Sequence, residues 1–253
     1  AGQDEWVDLG RLWGMIAWLI LTLGLMLGAW WAYTILGWGG YWAWDPVENS
    51  ALMPWLALTA FVHSIMVQKR RGMFRMWNMV LIIVAFTFAQ MGMFINRGGP
   101  VPSVHSFAQS SMGWMFLLFM VFTLVSSMVV FFCRMDTLKS RENLDSIISR
   151  ESALLIQNVL FLVVAFVTLW GTIYPIFSEA TKGDSVTVGQ PFFNRVNGPM
   201  LLLLIFVMGV GILLPWRKTA FRNVIRLLKY PVGVAVATAV MLVLLGIRQT
   251  PAV

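Results

Sequence analysis

The chain has 253 residues, of which 59% are hydrophobic and 11% charged, with a net charge of +7. A water-soluble domain carries about a quarter charged residues, so a single soluble core is excluded. The positive balance does not signal nucleic acid, because the basic residues sit at the ends of apolar blocks, where they orient a membrane protein. The one cysteine, Cys133, excludes an internal disulfide framework and a Cys-rich metal cluster.

The first ten residues, AGQDEWVDLG, are polar and acidic and lack the basic start of a cleavable signal. With no initiator Met, they point to an internal segment of something longer or to a processed product. Seven apolar blocks follow, at about 12–36, 51–68, 76–95, 112–133, 153–177, 199–216 and 231–247. Each approaches the roughly 20 residues a bilayer-spanning helix needs. In lipid the backbone must satisfy its own hydrogen bonds, so the blocks are helices. The fold expected is all-α: one polytopic transmembrane bundle over 1–253.

Lys and Arg alternate from loop to loop. Arg11, Lys69, Arg70, Arg71, Arg75, Arg134, Lys139, Arg141, Arg150, Arg217, Lys218, Arg222, Arg226 and Lys229 fall on one side. Only Arg97, Lys182, Arg195 and Arg248 fall on the other. The bias places the N-terminus in the cytoplasm. Segments 37–50, 96–111 and 178–198 then face outward. The connector 134–152 is cytoplasmic and reads as a short surface helix. Segment 221–230 reads as a positive-inside loop, or as a basic stretch lying on the anionic leaflet.

The first outward segment reads GWGGYWAWDPVENS. An interfacial belt accounts for one or two tryptophans. Here Trp38, Trp42 and Trp44 fall within seven residues, interleaved with Gly39, Gly40 and Tyr41 and followed by Asp45. That composition makes a flat apolar surface suited to a planar aromatic ligand stacked on indole faces. Glycine lets the backbone approach such a ligand closely. Asp45, Glu48 and Asn49 supply polar groups at its rim. Asn49 and Ser50 are equally placed to cap the second helix.

There are two histidines. His63 lies 14 residues past Asn49, about 21 Å along a helix, inside a hydrocarbon layer of about 30 Å. An ionisable residue there is a functional candidate. It serves either an interhelical hydrogen bond, to Thr59, Ser64 or another helix, or a haem iron. Trp55, Thr59 and His63, at i, i+4 and i+8, share a face that would flank a buried macrocycle. His105 lies in the next outward segment, on the same side as the tryptophans. A neutral imidazole there can bind iron axially.

The strings WGGYWAWDPVEN and LMPWLALTAFVHS resemble the tryptophan-rich WWD signature of haem-handling membrane proteins. GGPVPSVHSFA, SRESALLIQNVLF, GTIYPIFSEA and PFFNRVNGP resemble one branch, the CcmF/NrfE type of cytochrome c haem lyase, from about Gly10 to Arg217. The resemblance implies a bacterial-type inner-membrane protein that joins haem vinyl groups to the CXXCH thiols of apocytochrome c on the periplasmic face. It implies a CcmE-like haem chaperone and a CcmH-like thiol-handling partner. Trp38, Trp42, Trp44 and Asp45 would hold the incoming haem edge. His105 would ligate the iron of this transient substrate haem, and His63 that of a resident b-type haem. The family uses two histidines of each kind, and this chain has one of each. The others are expected before Gly10 and after Val253, or on further haem lyase subunits. The competing readings are a haem transporter of the same superfamily and a b-haem electron-transfer subunit, which needs paired membrane histidines.

Overall fold

The computed structural model describes residues 2–37, 39–105, 112–140, 142, 144–218 and 221–245. Seven α-helices carry it: α1 (Gly2–Ile35), α2 (Pro46–Arg71), α3 (Arg75–Gly98), α4 (Met112–Arg134), α5 (Arg150–Lys182), α6 (Gln190–Leu213) and α7 (Phe221–Leu244). Each contains a stretch long and apolar enough to cross a membrane, and the described residues contain no strand. The all-α bundle expected from the apolar blocks is the fold found. The 34-residue α1 runs about 50 Å, so it tilts or extends past a hydrocarbon layer of about 30 Å.

The chain divides into two compact units, Ala1–Asn143 with Asn158–Leu201, and Leu144–Gln157 with Leu202–Val253. In the first, α1 packs on α2, α2 on α3 and α3 on α4. Helix α2 is the most buried of these helices, with 67% of its apolar stretch inside the protein, against 6% for α1 and α4. Its polar side chains are legible on that basis, because they face other helices. Trp18 Nε1 donates to Thr59 Oγ1 and Trp55 Nε1 to Thr22 Oγ1, each at 2.8 Å, with the two indoles stacked 6.2 Å apart. Bonds of this kind contribute roughly 0.6 kcal/mol each in a membrane, so packing sets the seam and polar pairs fix its register. Pro54 cannot donate to the Ser50 carbonyl one turn back. That carbonyl faces α3 at Gly92, where a side-chain carbon would come within 3.2 Å of it. Farther along, Asn78 Nδ2 donates to the buried Gln68, and Lys69 pairs with Asp8.

The second unit is organised by the start of α5. Ser149 caps that helix by accepting from Ser152 N at 3.2 Å. Arg150 donates to the carbonyls of Leu214 and Ile212 beyond and within the last turn of α6, where positive charge is favoured. Both oxygens of the buried Glu151 accept from Arg217 N at 3.0 Å.

Two connectors differ from expectation. Among its described residues, segment 134–152 holds a 3-10 turn at Met135–Leu138 and no longer helix before α5 begins. Ser146 and Ser149 hydroxyls bond nearby backbone instead, offering the chain an alternative to helix. Residues 221–230 are not a loop. They form the first turns of a continuous α7 that carries Pro231 inside it.

Candidate functional site

Two helix-connecting stretches of the first unit, the one before α2 and the one after α3, meet where α2 starts, beside residues of α5 and the start of α6. Gly37 and Gly39 turn the chain there with φ of +66° and +77°, the left-handed region that glycine enters without strain. Neither has atoms within 4 Å of a would-be side-chain carbon. Their role here is the turn, and Gly40 follows it. Trp38 lies outside the described residues. Tyr41 stacks on Tyr33 of α1 at 4.3 Å and is otherwise exposed.

The chain then enters α2 through a capping box. Asp45 accepts from Val47 N at 2.9 Å, and Glu48 Oε2 accepts from Asp45 N at 3.2 Å and Ala43 N at 2.9 Å. These carboxylates close a helix start that would otherwise leave N–H groups unpaired.

Trp44 holds a left-handed backbone, φ 57°, which costs a non-glycine residue on the order of 1–3 kcal/mol. Several contacts hold it there. The buried Asn49 Nδ2 donates to its carbonyl at 2.9 Å and to Thr172 Oγ1 of α5 at 3.0 Å. Its indole stacks on Phe193 of α6, 5.1 Å between centroids and 12° from parallel, and donates to Asn194 Oδ1 at 2.8 Å. Trp42 meets Trp44 edge-on at 5.9 Å.

His105 joins from the segment after α3. Its Nδ1 lies 3.2 Å from Asp45 Oδ2, with the side chains 14% and 9% exposed. Ser103 Oγ donates to the same oxygen and accepts from His105 N at 3.0 Å. The Trp31 ring lies 5.2 Å from the imidazole. The fold therefore brings together Trp42, Trp44, Asp45, Glu48, Asn49 and His105 from the expected set. Sequence reasoning missed Ser103, Thr172, Phe193 and Asn194. The only signal for any of the four was its place inside a family-like string.

His63 stands apart. Its half-buried ring lies parallel to Phe161 of α5 at 6.2 Å, 9° apart. Its buried Nδ1 makes no hydrogen bond among the described residues. The Thr59 carbonyl one turn back lies close but short of hydrogen-bond geometry. Trp55 and Thr59 face α1, not Phe161. Each four-residue step along a helix drifts by about 40°, so His63 lies about 80° around from Trp55.

Phe193 owes its place to Gly171. A side-chain carbon on Gly171 would come within 2.6 Å of the Phe193 ring. Gly171→Ala is expected to cost about 1–3 kcal/mol by overpacking. Thermal unfolding in detergent checks this, with Gly171→Ala/Phe193→Leu recovering part of the loss.

Residues 4–99 match the family model described as cytochrome C assembly protein. The chain is 39% identical over 236 residues to cytochrome c-type biogenesis protein CcmF of Pseudomonas fluorescens, covering 93% of this chain and 36% of that protein. It is 41% identical over 219 residues to CcmF of Escherichia coli, covering 86% and 34%, and 38% identical over 212 residues to NrfE of Haemophilus influenzae, covering 83% and 33%. A solved cytochrome c haem lyase CcmF superposes with a TM-score of 0.70 at 36% identity, covering 90% of this chain and 34% of that one. The chain thus spans about a third of the length of the relatives it matches. In sequence and in fold, it belongs to the CcmF/NrfE family of cytochrome c-type biogenesis proteins.

Proposed function

We propose that this chain is the haem-handling segment of a cytochrome c synthase in a bacterial-type inner membrane, with its tryptophan-rich end on the periplasmic face. The observation that carries the reading is the convergence of His105 on the WWD loop, 3.2 Å from Asp45, beside Trp31 and near the Trp42–Trp44 pair. Orientation rests on charge. Helix α2 starts at this end and finishes in Lys69, Arg70 and Arg71, and basic ends stay in the cytoplasm.

In this reading haem is a substrate, received from a CcmE-like chaperone. His105 is its axial ligand and the indoles support its edge. A CcmH-like partner presents the reduced CXXCH thiols of apocytochrome c. Each thiol adds across a vinyl group: sulfur bonds the carbon next to the ring, and the thiol proton ends on the terminal carbon. No electrons are gained or lost overall. The nucleophile comes from the substrate, so the protein contributes positioning, which is worth several kcal/mol. Asp45 and Glu48 are engaged by the chain itself, so they act through its geometry and not as propionate partners.

His63 fits a ligand for a resident b-type haem, because its ring is half-buried and parallel to an aromatic face, and its Nδ1 has no hydrogen bond among the described residues. Such a haem would supply reducing equivalents that keep the substrate iron ferrous. The family's remaining histidines would lie elsewhere in the full-length protein or on partner subunits.

Two measurements test the assignment. Full-length protein carrying this segment should attach haem to a CXXCH reporter, scored by haem staining after denaturing electrophoresis. Attachment at the wild-type level by a Trp42→Ala/Trp44→Ala/His105→Ala triple variant would overturn it. His63→Ala should lose the b-type absorption of the purified protein, while His105→Ala keeps it. Equal b-type spectra for His63→Ala and wild type would remove His63 from that role.

A further inference from the structure

The contact between Asp45 and His105 carries more chemistry than a helix cap requires. A cap needs one acceptor aimed at the first-turn N–H groups, and Asp45 supplies it to Val47. The same oxygen, Oδ2, also accepts from the Ser103 hydroxyl and lies 3.2 Å from His105 Nδ1. Ser103 Oγ in turn accepts from the His105 backbone N–H. The carboxylate is therefore tied to the first turn of α2 on one side and to the histidine segment on the other. Only 9% of its side chain is exposed, against 14% for the imidazole.

We propose that Asp45 is a positioning residue that holds the His105 imidazole with its proton on Nδ1 and its lone pair on Nε2, aimed at haem iron. The proposal rests on the reading of His105 as an iron ligand. An ionised carboxylate only accepts hydrogen bonds, so a ring nitrogen beside it is the one that carries the proton. In the neutral ring the other nitrogen then holds the lone pair. The Nδ1–H direction here lies off the line a hydrogen bond needs; a rotation of the ring aligns it, as catalytic contacts commonly tighten once a ligand is bound. Carboxylate partners of this kind fix ring orientation and raise the donor strength of metal-bound histidine.

The test separates positioning from capping. Asp45→Ser keeps an N-cap oxygen for Val47 but withdraws the carboxylate from His105. Asp45→Asn keeps both size and cap while removing the charge. In full-length protein loaded with haem, Asp45→Ser should retain the His105-bound haem about 10- to 100-fold less well than wild type. Asp45→Asn should lie between the two. The iron–histidine stretching band, identified as the one lost in His105→Ala, should move to lower frequency in both Asp45 variants. An unshifted band with wild-type retention in Asp45→Asn and Asp45→Ser would leave Asp45 as a cap only and overturn the proposal. Wild-type haem retention and an unchanged band in His105→Ala would instead overturn the reading beneath it.

Discussion

Replacing His105 with alanine in the full-length protein should drop covalent haem attachment to a CXXCH reporter by at least about 100-fold, with the protein still folded and inserted. The magnitude follows from what the ligand does. Well-oriented reactants can save about 7–11 kcal/mol of a barrier through positioning. An axial bond fixes the distance and tilt of the porphyrin relative to the incoming thiols. If that bond supplies about 40% of the saving, its loss costs about 3–4 kcal/mol, or at least about 100-fold in rate. The fold should survive because the segment is tied down elsewhere. Val101 is buried, and Ser103 holds the loop to Asp45 without using the imidazole ring. Free imidazole should partly rescue His105→Gly, since a diffusible ligand restores the iron bond without the tether. Attachment by His105→Ala within a few-fold of wild type would move the iron ligand elsewhere.

Much of this architecture was legible along the chain because lipid imposes simple rules. Apolar blocks of spanning length gave the seven helices, and charge alternation gave the expectation that residues 37–50 and 96–111 share a side. Contacts between Asp45 and both Ser103 and His105 bring those segments together. Three things were not legible, each for a physical reason. The Trp44–Asn194 bond joins residues 150 apart, and no local pattern encodes such a partner. Trp55 and Thr59 looked like neighbours of His63 on a helical wheel, but helical drift turned them toward α1. The 134–152 connector has a helix-like mix of charges, yet its serines hydrogen-bond the backbone and delay α5 to Arg150. From sequence, Asn49 and Ser50 were equally placed to cap α2, but Asp45 is the cap and the other two lie inside the helix that begins at Pro46. The capping box commits Asp45 and Glu48 to the backbone before any ligand arrives.

The same logic gives Asn49 a large expected effect through the backbone it holds. Its side chain is fully buried and both amide hydrogens are spent, one on the Trp44 carbonyl and one on Thr172 Oγ1. Its Oδ1 has no hydrogen-bond partner among the described residues, so the site uses Asn49 as a donor. Thr172 passes its own hydroxyl to the Thr168 carbonyl at 2.7 Å, and Thr168 Oγ1 accepts from Asn197 at 3.1 Å. This chain of polar groups links the tryptophan loop to α2, α5 and α6. Asn49→Ala leaves the Trp44 carbonyl without that donor, at about 1–3 kcal/mol. That is comparable to the roughly 1–3 kcal/mol cost of the left-handed backbone it holds, so Trp44 should relax and leave the face of Phe193. The expected result is a 10- to 100-fold loss of haem attachment, the range about 1.4 to 2.7 kcal/mol represents, with the b-type absorption at His63 unchanged. Asn49→Asp is the sharper probe. It keeps the shape but turns an ionised acceptor toward the Trp44 carbonyl, so it should be at least as damaging as alanine. If Asn49→Asp attaches haem and unfolds thermally like wild type, the clamp on Trp44 is not what shapes this site.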